Sequence, residues 1–313
     1  MRAAQMKDYG GPEVMEVVDI AKPQPGEGQV LVEVHAASIN PFDIKIRSGM
    51  MKEMIPLELP ITMGGDIAGV VVAVGPGVAH IAEGDKVYGQ AIVVAGNSGA
   101  FAEYAATKAG QVAAMPTNCD FVQAAALPLV GVSAVQAITE HLQLAPGQKI
   151  FIHGASGGIG SVAVQIAKHV GAYVAATVRG SEAADFVRSL GADEIIDTNT
   201  SDPLQTAHDF DALYDLVGGE DFARLFAVLK PQANAVSMVA QGYEVAAESA
   251  HITARTQSTK VTTERLTVLR ELVEAGAVTP KVDKTFSLEA IVEAFQYQES
   301  GGAKGKVVLT IAE

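Results

Sequence analysis

The chain of 313 residues has a single cysteine, Cys119, and no tryptophan. One thiol excludes an internal disulfide framework and any thiolate zinc cluster. Basic residues are scarce: 22 Lys and Arg stand against 36 Asp and Glu, a net charge of −14. Such a chain repels phosphate backbones, and no local basic patch offsets this, so no nucleic-acid partner is expected. Long apolar runs are missing too; glycines and charges break each candidate membrane span, and no membrane partner is expected. The opening residues, MRAAQMKDYGG, lack the apolar core of a secretory leader. The cytoplasm is the expected location. Internal repeats and low-complexity segments are also absent.

What the sequence does have is a glycine-rich stretch from Lys149 to Val170, KIFIHGASGGIGSVAVQIAKHV. Ile150, Phe151 and Ile152 form the short apolar run that a buried parallel strand requires. Gly154, Gly157, Gly158 and Gly160 follow. Apolar residues then recur at Ile159, Val162, Ala163, Ile166, Ala167 and Val170, one face of a helix. Strand, glycine turn and helix in succession make a dinucleotide-binding crossover. The G-x-G-x-x-G positions are held by Ala155, Gly157 and Gly160. Gly154 supplies unusual dihedrals just before the turn at Ala155. Gly157 lets the backbone approach a pyrophosphate, and Gly160 lets the helix pack closely. The turn residues Ala155, Ser156, Gly157, Gly158, Ile159 and Gly160 are therefore the candidate pyrophosphate site, with the helix start favouring the anion. Packing alone is the alternative use of such glycines.

The length suffices for two domains. Residues 1 to about 115 show short strands with glycine turns, at 30–34, 69–74, 85–89 and 99–105, which suggests a small, partly closed barrel. Residues 120–141 are helix-like and interrupted at Leu127-Pro128. Beyond the glycine stretch, strands at 173–178, 194–197, 211–217 and 233–238 alternate with helices at 181–190 and 221–229. This is the pattern of a doubly wound parallel sheet. Helices near 263–275 and 287–299 precede a last strand at 306–311, which pattern alone assigns to neither domain.

An NAD-preferring unit places an acid about twenty residues beyond the central glycine. Counting from Gly157 reaches Thr177, in Thr177-Val-Arg-Gly-Ser181, with Glu182 the first acid. Arg179 offers a guanidinium fork, and Thr177 and Ser181 offer hydroxyls, a set suited to a 2′-phosphate and hence to NADPH. Ser181 would also serve as a helix N-cap.

Separated segments occur in the order of one family. They include Ser38-Ile-Asn-Pro-Phe-Asp43, Arg47-Ser-Gly49, Gly64-Gly-Asp-Ile-Ala-Gly69, Gly84-Asp-Lys-Val87 and Gly99-Ala-Phe-Ala-Glu-Tyr104. Pro128-Leu-Val-Gly-Val-Ser-Ala134, the glycine stretch, 273–280 and Gly305-Lys-Val-Val-Leu309 complete the series. Over nearly its full length the chain resembles the zinc-independent, zeta-crystallin-like quinone oxidoreductases of the medium-chain dehydrogenase/reductase superfamily. The resemblance implies an α/β fold in which a Rossmann doubly wound parallel sheet (122–261) is inserted in a GroES-like β-barrel catalytic domain (1–121 and 262–313). The last strand then belongs to the barrel. Homodimers are common in the family. Zinc relatives carry Gly-His-Glu where this chain has Gly64-Gly65-Asp66, so no metal is expected.

The resemblance also implies that Asn40, Asp43, Ser133 and the segment 238–241, including Val239, lie near the nicotinamide, and that Lys304 approaches the cofactor. Asn40 can donate its amide N–H to a carbonyl oxygen gaining charge, or merely shape a turn before Pro41. Asp43 can orient Asn40 or move protons, or pair with Arg47 on a short helix. Where many relatives have a Tyr this chain has Met50-Met51, so a tyrosine proton donor is not expected from that loop. The implied activity is NADPH-dependent hydride transfer to a small-molecule quinone or α,β-unsaturated carbonyl. An enoyl-thioester reductase and a non-catalytic NADPH-binding protein are the other readings.

Overall fold

The computed structural model describes residues 1–301 and 303–312, and it divides into two compact units. The first comprises residues 1–129, 261–274 and 280–313, and the second residues 130–260 and 275–279. Gly302, in the segment before Lys304, lies outside the described residues.

The first unit is built around a seven-stranded sheet whose central strand is Gln29–Ser38. This strand pairs antiparallel with Asp66–Val74, with Tyr104–Lys108 and with the last strand, Lys306–Thr310. The last strand thus returns to the barrel side of the fold. A second, three-stranded sheet carries Arg2–Met6 and Met15–Asp19. Val30, Val32, Val34, Ile67, Phe101, Phe295 and Val307 fill the core between them. Removing these apolar side chains from water is the main stabilising term. Register decides what comes next: Ser38 sits opposite Asp66, and Val308 opposite Ser38. Those pairings bring Ser38, Asp66 and the start of the Lys306 strand together at one end of the sheet.

The second unit is a six-stranded parallel sheet. Numbered in chain order, its strands run 3-2-1-4-5-6, the doubly wound arrangement. Lys149–His153 is the first strand and Phe210–Asp215 the fourth, so the strand order reverses between them. Phe151, Leu213, Phe210 and Phe222 anchor the core on one side. The helix Gly158–Val170 follows the first strand and buries Val162, Ala163, Val164, Ile166 and Ala167. It ends at Gly171 in the left-handed conformation, with Lys168 and His169 in its last turn, where they complement the helix dipole.

Some boundaries differ from the sequence reading. The strand expected over 99–105 begins only at Tyr104, because residues 100, 101 and 103 bend, their amides bonding Met63 and Arg2 carbonyls, and Ala102 makes only an isolated bridge to Ala3. Residues 120–141 divide into Phe121–Ala125, Pro128–Val135 and a π-helical turn Gln136–His141. The sheet's sixth strand, Thr253–Thr256, was not foreseen; three of its four residues are polar, and it lies at the edge, where a hydrophobic pattern is weakest.

Candidate functional site

In the second unit, the carboxyl ends of the first and fourth strands meet at the reversal of strand order, where doubly wound sheets bind ligands. Gly154 follows the first strand with φ +87°, a left-handed conformation that glycine adopts without strain. A Cβ on Gly160 would come within 2.6 Å of both Ala155 Cα and Gly154 O, so the helix packs on the turn backbone only because that Cβ is missing. Gly157 is different. Its φ is −73°, and an added Cβ would meet only Gly154 O, at 3.7 Å. Folding does not require glycine there, whereas backbone approach by a ligand does. Gly157 is also the N-cap, and no side chain caps the helix, so the first amides of Gly158–Val170 remain available.

Thr177 turns out to hold the glycine turn from within. It is buried, its hydroxyl accepts from Gly154 N at 2.9 Å and bonds His153 Nδ1 at 2.8 Å, and its carbonyl accepts from Ala155 N. That hydroxyl is therefore not free for a phosphate. Ser181 is not the N-cap expected for the helix Ser181–Ser189; Gly180 occupies that position and Ser181 is the first helical residue. Arg179 is exposed at the end of the strand Tyr173–Val178 and enters no ion pair among the described residues. Counting along the chain missed one acid. Asp197 ends the neighbouring strand, and its Oδ1 accepts from Gly180 N and Asn199 N, each at 3.0 Å, which holds its carboxyl below the usual range.

Two buried polar groups brace the loops beyond these strands. Asp215 is paired in register with His153. It accepts from Val217 N, Gly218 N and, at 2.6 Å, Ser237 Oγ. Ser237 Oγ in turn accepts from Val239 N and Ala240 N. The Ser237 hydroxyl thus ties the loop 238–241 to the fourth strand, beside bonds from Met238 N to Asp215 O and from Tyr214 to Met238 Sδ. Val217 and Val239 leave an apolar rim beside Gly154 and Gly218. His153 has its pKa lowered by burial. Ser133 is fully buried, with Oγ 2.7 Å from Thr259 Oγ1 and its carbonyl accepting from Gln257.

The first unit holds a second polar cluster. Asn40 precedes the short helix Pro41–Arg47 and is 2% exposed. Its Nδ2 donates to Asp66 Oδ2 at 2.9 Å, and its Oδ1 accepts from Lys306 Nζ. Asp66 Oδ2 also accepts from Ser38 Oγ and Leu129 N. Lys306 donates further to Ile39 O at 2.9 Å and lies 3.9 Å from Asp66. Asp43 Oδ2 accepts from Asn40 N at 2.7 Å. Burial dominates the electrostatics: it pushes the Asp43 carboxyl up to about 7 and raises Asp66, while it lowers Lys306. Asp43 does not pair with Arg47, whose guanidinium bonds Glu299 and lies over the Phe295 ring. A shallow hollow opens beside Asp43, walled by Ile46, Leu57, Met63, Ile92 and Val93. Met50 and Met54 are exposed and Met51 is half-buried, and Lys304 is exposed in the first unit.

Sequence reasoning did not single out Lys306, Asp66, Asp215 or Ser237 as functional. The available signal was a charge or hydroxyl adjoining a β-branched or apolar run, as in Lys306-Val-Val-Leu309.

A barrel-like unit made from both chain ends and a doubly wound unit with a glycine turn at its switch point define a medium-chain dehydrogenase/reductase. The chain matches the alcohol dehydrogenase GroES-like domain over residues 26–117 and the zinc-binding dehydrogenase family over residues 190–309. It is 36% identical to the 2-methylene-furan-3-one reductase of Solanum lycopersicum and 35% identical to the chloroplastic NADPH-dependent alkenal/one oxidoreductase of Arabidopsis thaliana, in each case over 99% of this chain and 79% of the relative. The structure of the quinone oxidoreductase from Coxiella burnetii superposes with a TM-score of 0.89 at 30% identity, covering 100% of this chain and 99% of that one. The chain belongs to the quinone oxidoreductase family of that superfamily.

Proposed function

We propose that the protein is an NADPH-dependent reductase of quinones or α,β-unsaturated carbonyl compounds that works without zinc. The observation that carries the cofactor reading is Arg179, an exposed guanidinium in no ion pair among the described residues, two positions beyond the Thr177 that holds the glycine turn. Arg179 takes the 2′-phosphate in a charge-assisted fork, Ser181 adds a hydroxyl from the first helical turn, and the amides from Gly157 onward take the pyrophosphate. The room at Gly157 fits that approach. Residues 122–261 form the cofactor domain in this reading, and Val239 supplies apolar contact at the nicotinamide end. Lys304 is the further basic residue assigned to the cofactor. The relative from Arabidopsis, named NADPH-dependent, supports the same choice.

NADPH, when bound, supplies a hydride to the electron-poor carbon of the acceptor. Asn40 donates an amide N–H to the acceptor's oxygen as it gains negative charge. Asp43, which accepts from Asn40 N and is pushed by burial to about 7, can hold a transferable proton at neutral pH. Ser133 and Thr177, with their hydroxyls engaged inside the second unit, act as braces.

Zinc does not fit the residues present. Gly65 has no donor atom although a Cβ there would make only ordinary contacts, and Asp66 already takes three hydrogen bonds and faces the Lys306 ammonium. A cytoplasmic homodimer completes the proposal.

The test is NADPH oxidation against a panel of quinones, enones and enoyl thioesters. Turnover of quinones or enones is expected. Turnover of thioesters alone would overturn the substrate class, and tight NADPH binding with no turnover would make the chain a non-catalytic binding protein. Arg179→Ala should weaken NADPH roughly 10- to 100-fold, the value of a hydrogen-bonded charge, and leave NADH unchanged. Tighter binding of NADH by the wild type would instead give the ribose to Asp197.

A further inference from the structure

The amide of Asn40 is held at both ends. A side-chain amide has two nearly isosteric ends, and its two orientations differ only in which end accepts. Lys306 is a donor without acceptor capacity, so the end it meets must be oxygen. Asp66 Oδ2 already accepts from Ser38 Oγ and Leu129 N, so it meets Asn40 as an acceptor and the end it meets must be nitrogen. Reversing the amide would set a nitrogen against an ammonium and an oxygen against a carboxylate, two repulsions in a cluster where Asn40 is 2% exposed, Lys306 6% and Asp66 0%. Asp66 uses one Nδ2 hydrogen, which leaves the other for a ligand. The ammonium on Oδ1 also draws electron density from the amide and sharpens that remaining N–H as a donor.

Lys306 also bonds Ile39 O and faces the buried Asp66 carboxyl, so its role at Asn40 is joined to a structural one. It begins the last strand, and a buried ammonium is costly unless paired. Two of its hydrogens meet Ile39 O and Asn40 Oδ1, and its charge lies 3.9 Å from Asp66. An apolar residue of similar length would satisfy the sheet.

We propose that Lys306 is a positioning residue for the reduction, fixing and polarising the Asn40 amide so that its free N–H is presented to the oxygen of the acceptor. This rests on the quinone or enone reductase reading above for the identity of the acceptor, but not for the orientation of Asn40.

The experiment is a double-mutant cycle with Lys306→Met, Asn40→Ala and their combination, following kcat, the KM of the acceptor and NADPH affinity by fluorescence. Lys306→Met should lower kcat on the order of 10- to 100-fold, as misplacement of a reacting group by about 1 Å does, with NADPH affinity unchanged. In the Asn40→Ala background it should cause no further loss, because there is no amide left to position. Losses that multiply, or a Lys306→Met enzyme with wild-type kcat, would overturn the proposal. Since the lone substitution leaves Asp66 buried without its cation, the neutral pair Lys306→Met with Asp66→Asn is measured alongside, and the same loss is expected. Hydrogen exchange of the Asn40 side-chain amide, labelled with 15N and assigned with Asn40→Ala, reads orientation without turnover. The wild type should show one slow and one faster proton, and Lys306→Met should lose the difference. An unchanged pair would sink the proposal. Absence of turnover in the wild type with this amide signature intact would instead reject the acceptor class and leave the positioning role standing.

Discussion

Two glycines three residues apart in the same turn have opposite reasons to be glycine, and this separates folding from binding at single-residue scale. Gly160→Ala drives a Cβ to 2.6 Å from turn backbone that has nowhere to move, and it should destabilise the chain by about 1–3 kcal/mol in urea unfolding. Gly157→Ala adds a Cβ that makes only an ordinary contact, with Gly154 O at 3.7 Å, and its cost is that of alanine as a poorer helix N-cap, roughly 0.5–1 kcal/mol. It should nevertheless weaken NADPH binding at least roughly tenfold if the pyrophosphate approaches that backbone. Equal stability loss in both variants would mean that packing alone explains the turn. Asp43 gives a second test. Its folded pKa of about 7 lies above the unfolded carboxyl value near 4, so the folded state holds a proton that the unfolded chain has released. Stability is therefore lost as pH rises from about 4 to about 7 and levels off above. Asp43→Asn keeps an oxygen for the Asn40 amide and removes the titration. The fall in unfolding free energy between pH 5 and pH 8 should shrink on the order of 2 kcal/mol in that variant. An identical fall in both proteins would show that Asp43 is ionised throughout.

At the scale of elements, the strands position and the loops beyond them act. Ser237 ends the fifth strand of the parallel sheet, accepts two loop amides and donates to Asp215. Ser237→Ala should leave the sheet intact and speed hydrogen exchange at Val239 and Ala240 specifically. Protection unchanged at those two amides would mean the loop is held by other contacts. The glycine crossover was legible because strand, turn and helix each carry their own periodicity in consecutive residues. So was the alternation of strands and helices through the second unit. The edge strand Thr253–Thr256 was not, since an exposed edge has little hydrophobic pattern to read. Nor was the cluster of Asn40, Asp66 and Lys306. Its members lie 26 and 266 positions from Asn40 along the chain and meet only through strand register. Local reasoning offered Arg47 as the partner of Asp43 at helical spacing. Arg47 is instead drawn to Glu299, in the helix Ile291–Glu299, and to the face of Phe295. Asp197 escaped for a related reason: counting follows one strand, whereas parallel pairing sets the end of the next strand beside it.

For the molecule as a whole, the net charge of −14 and the Arg179 guanidinium proposed for the cofactor's 2′-phosphate pull in opposite directions. Long-range steering depends on the summed field, whereas a bidentate phosphate contact acts at hydrogen-bond range. At about 0.01 M salt the Debye length is about 30 Å, and an approaching polyanion feels most of the molecule's negative charge. At about 0.1 M the length falls to about 10 Å, which hides distant carboxylates but leaves Arg179 effective at close range. Association of NADPH should therefore speed up between these two concentrations, by a factor of a few, when followed by stopped-flow fluorescence. Dissociation should change less, because it breaks the local contacts. Arg179→Ala should raise the dissociation rate and keep the same salt trend in association. Association that slows with salt would show that a local positive field around Arg179 outweighs the molecule's overall charge.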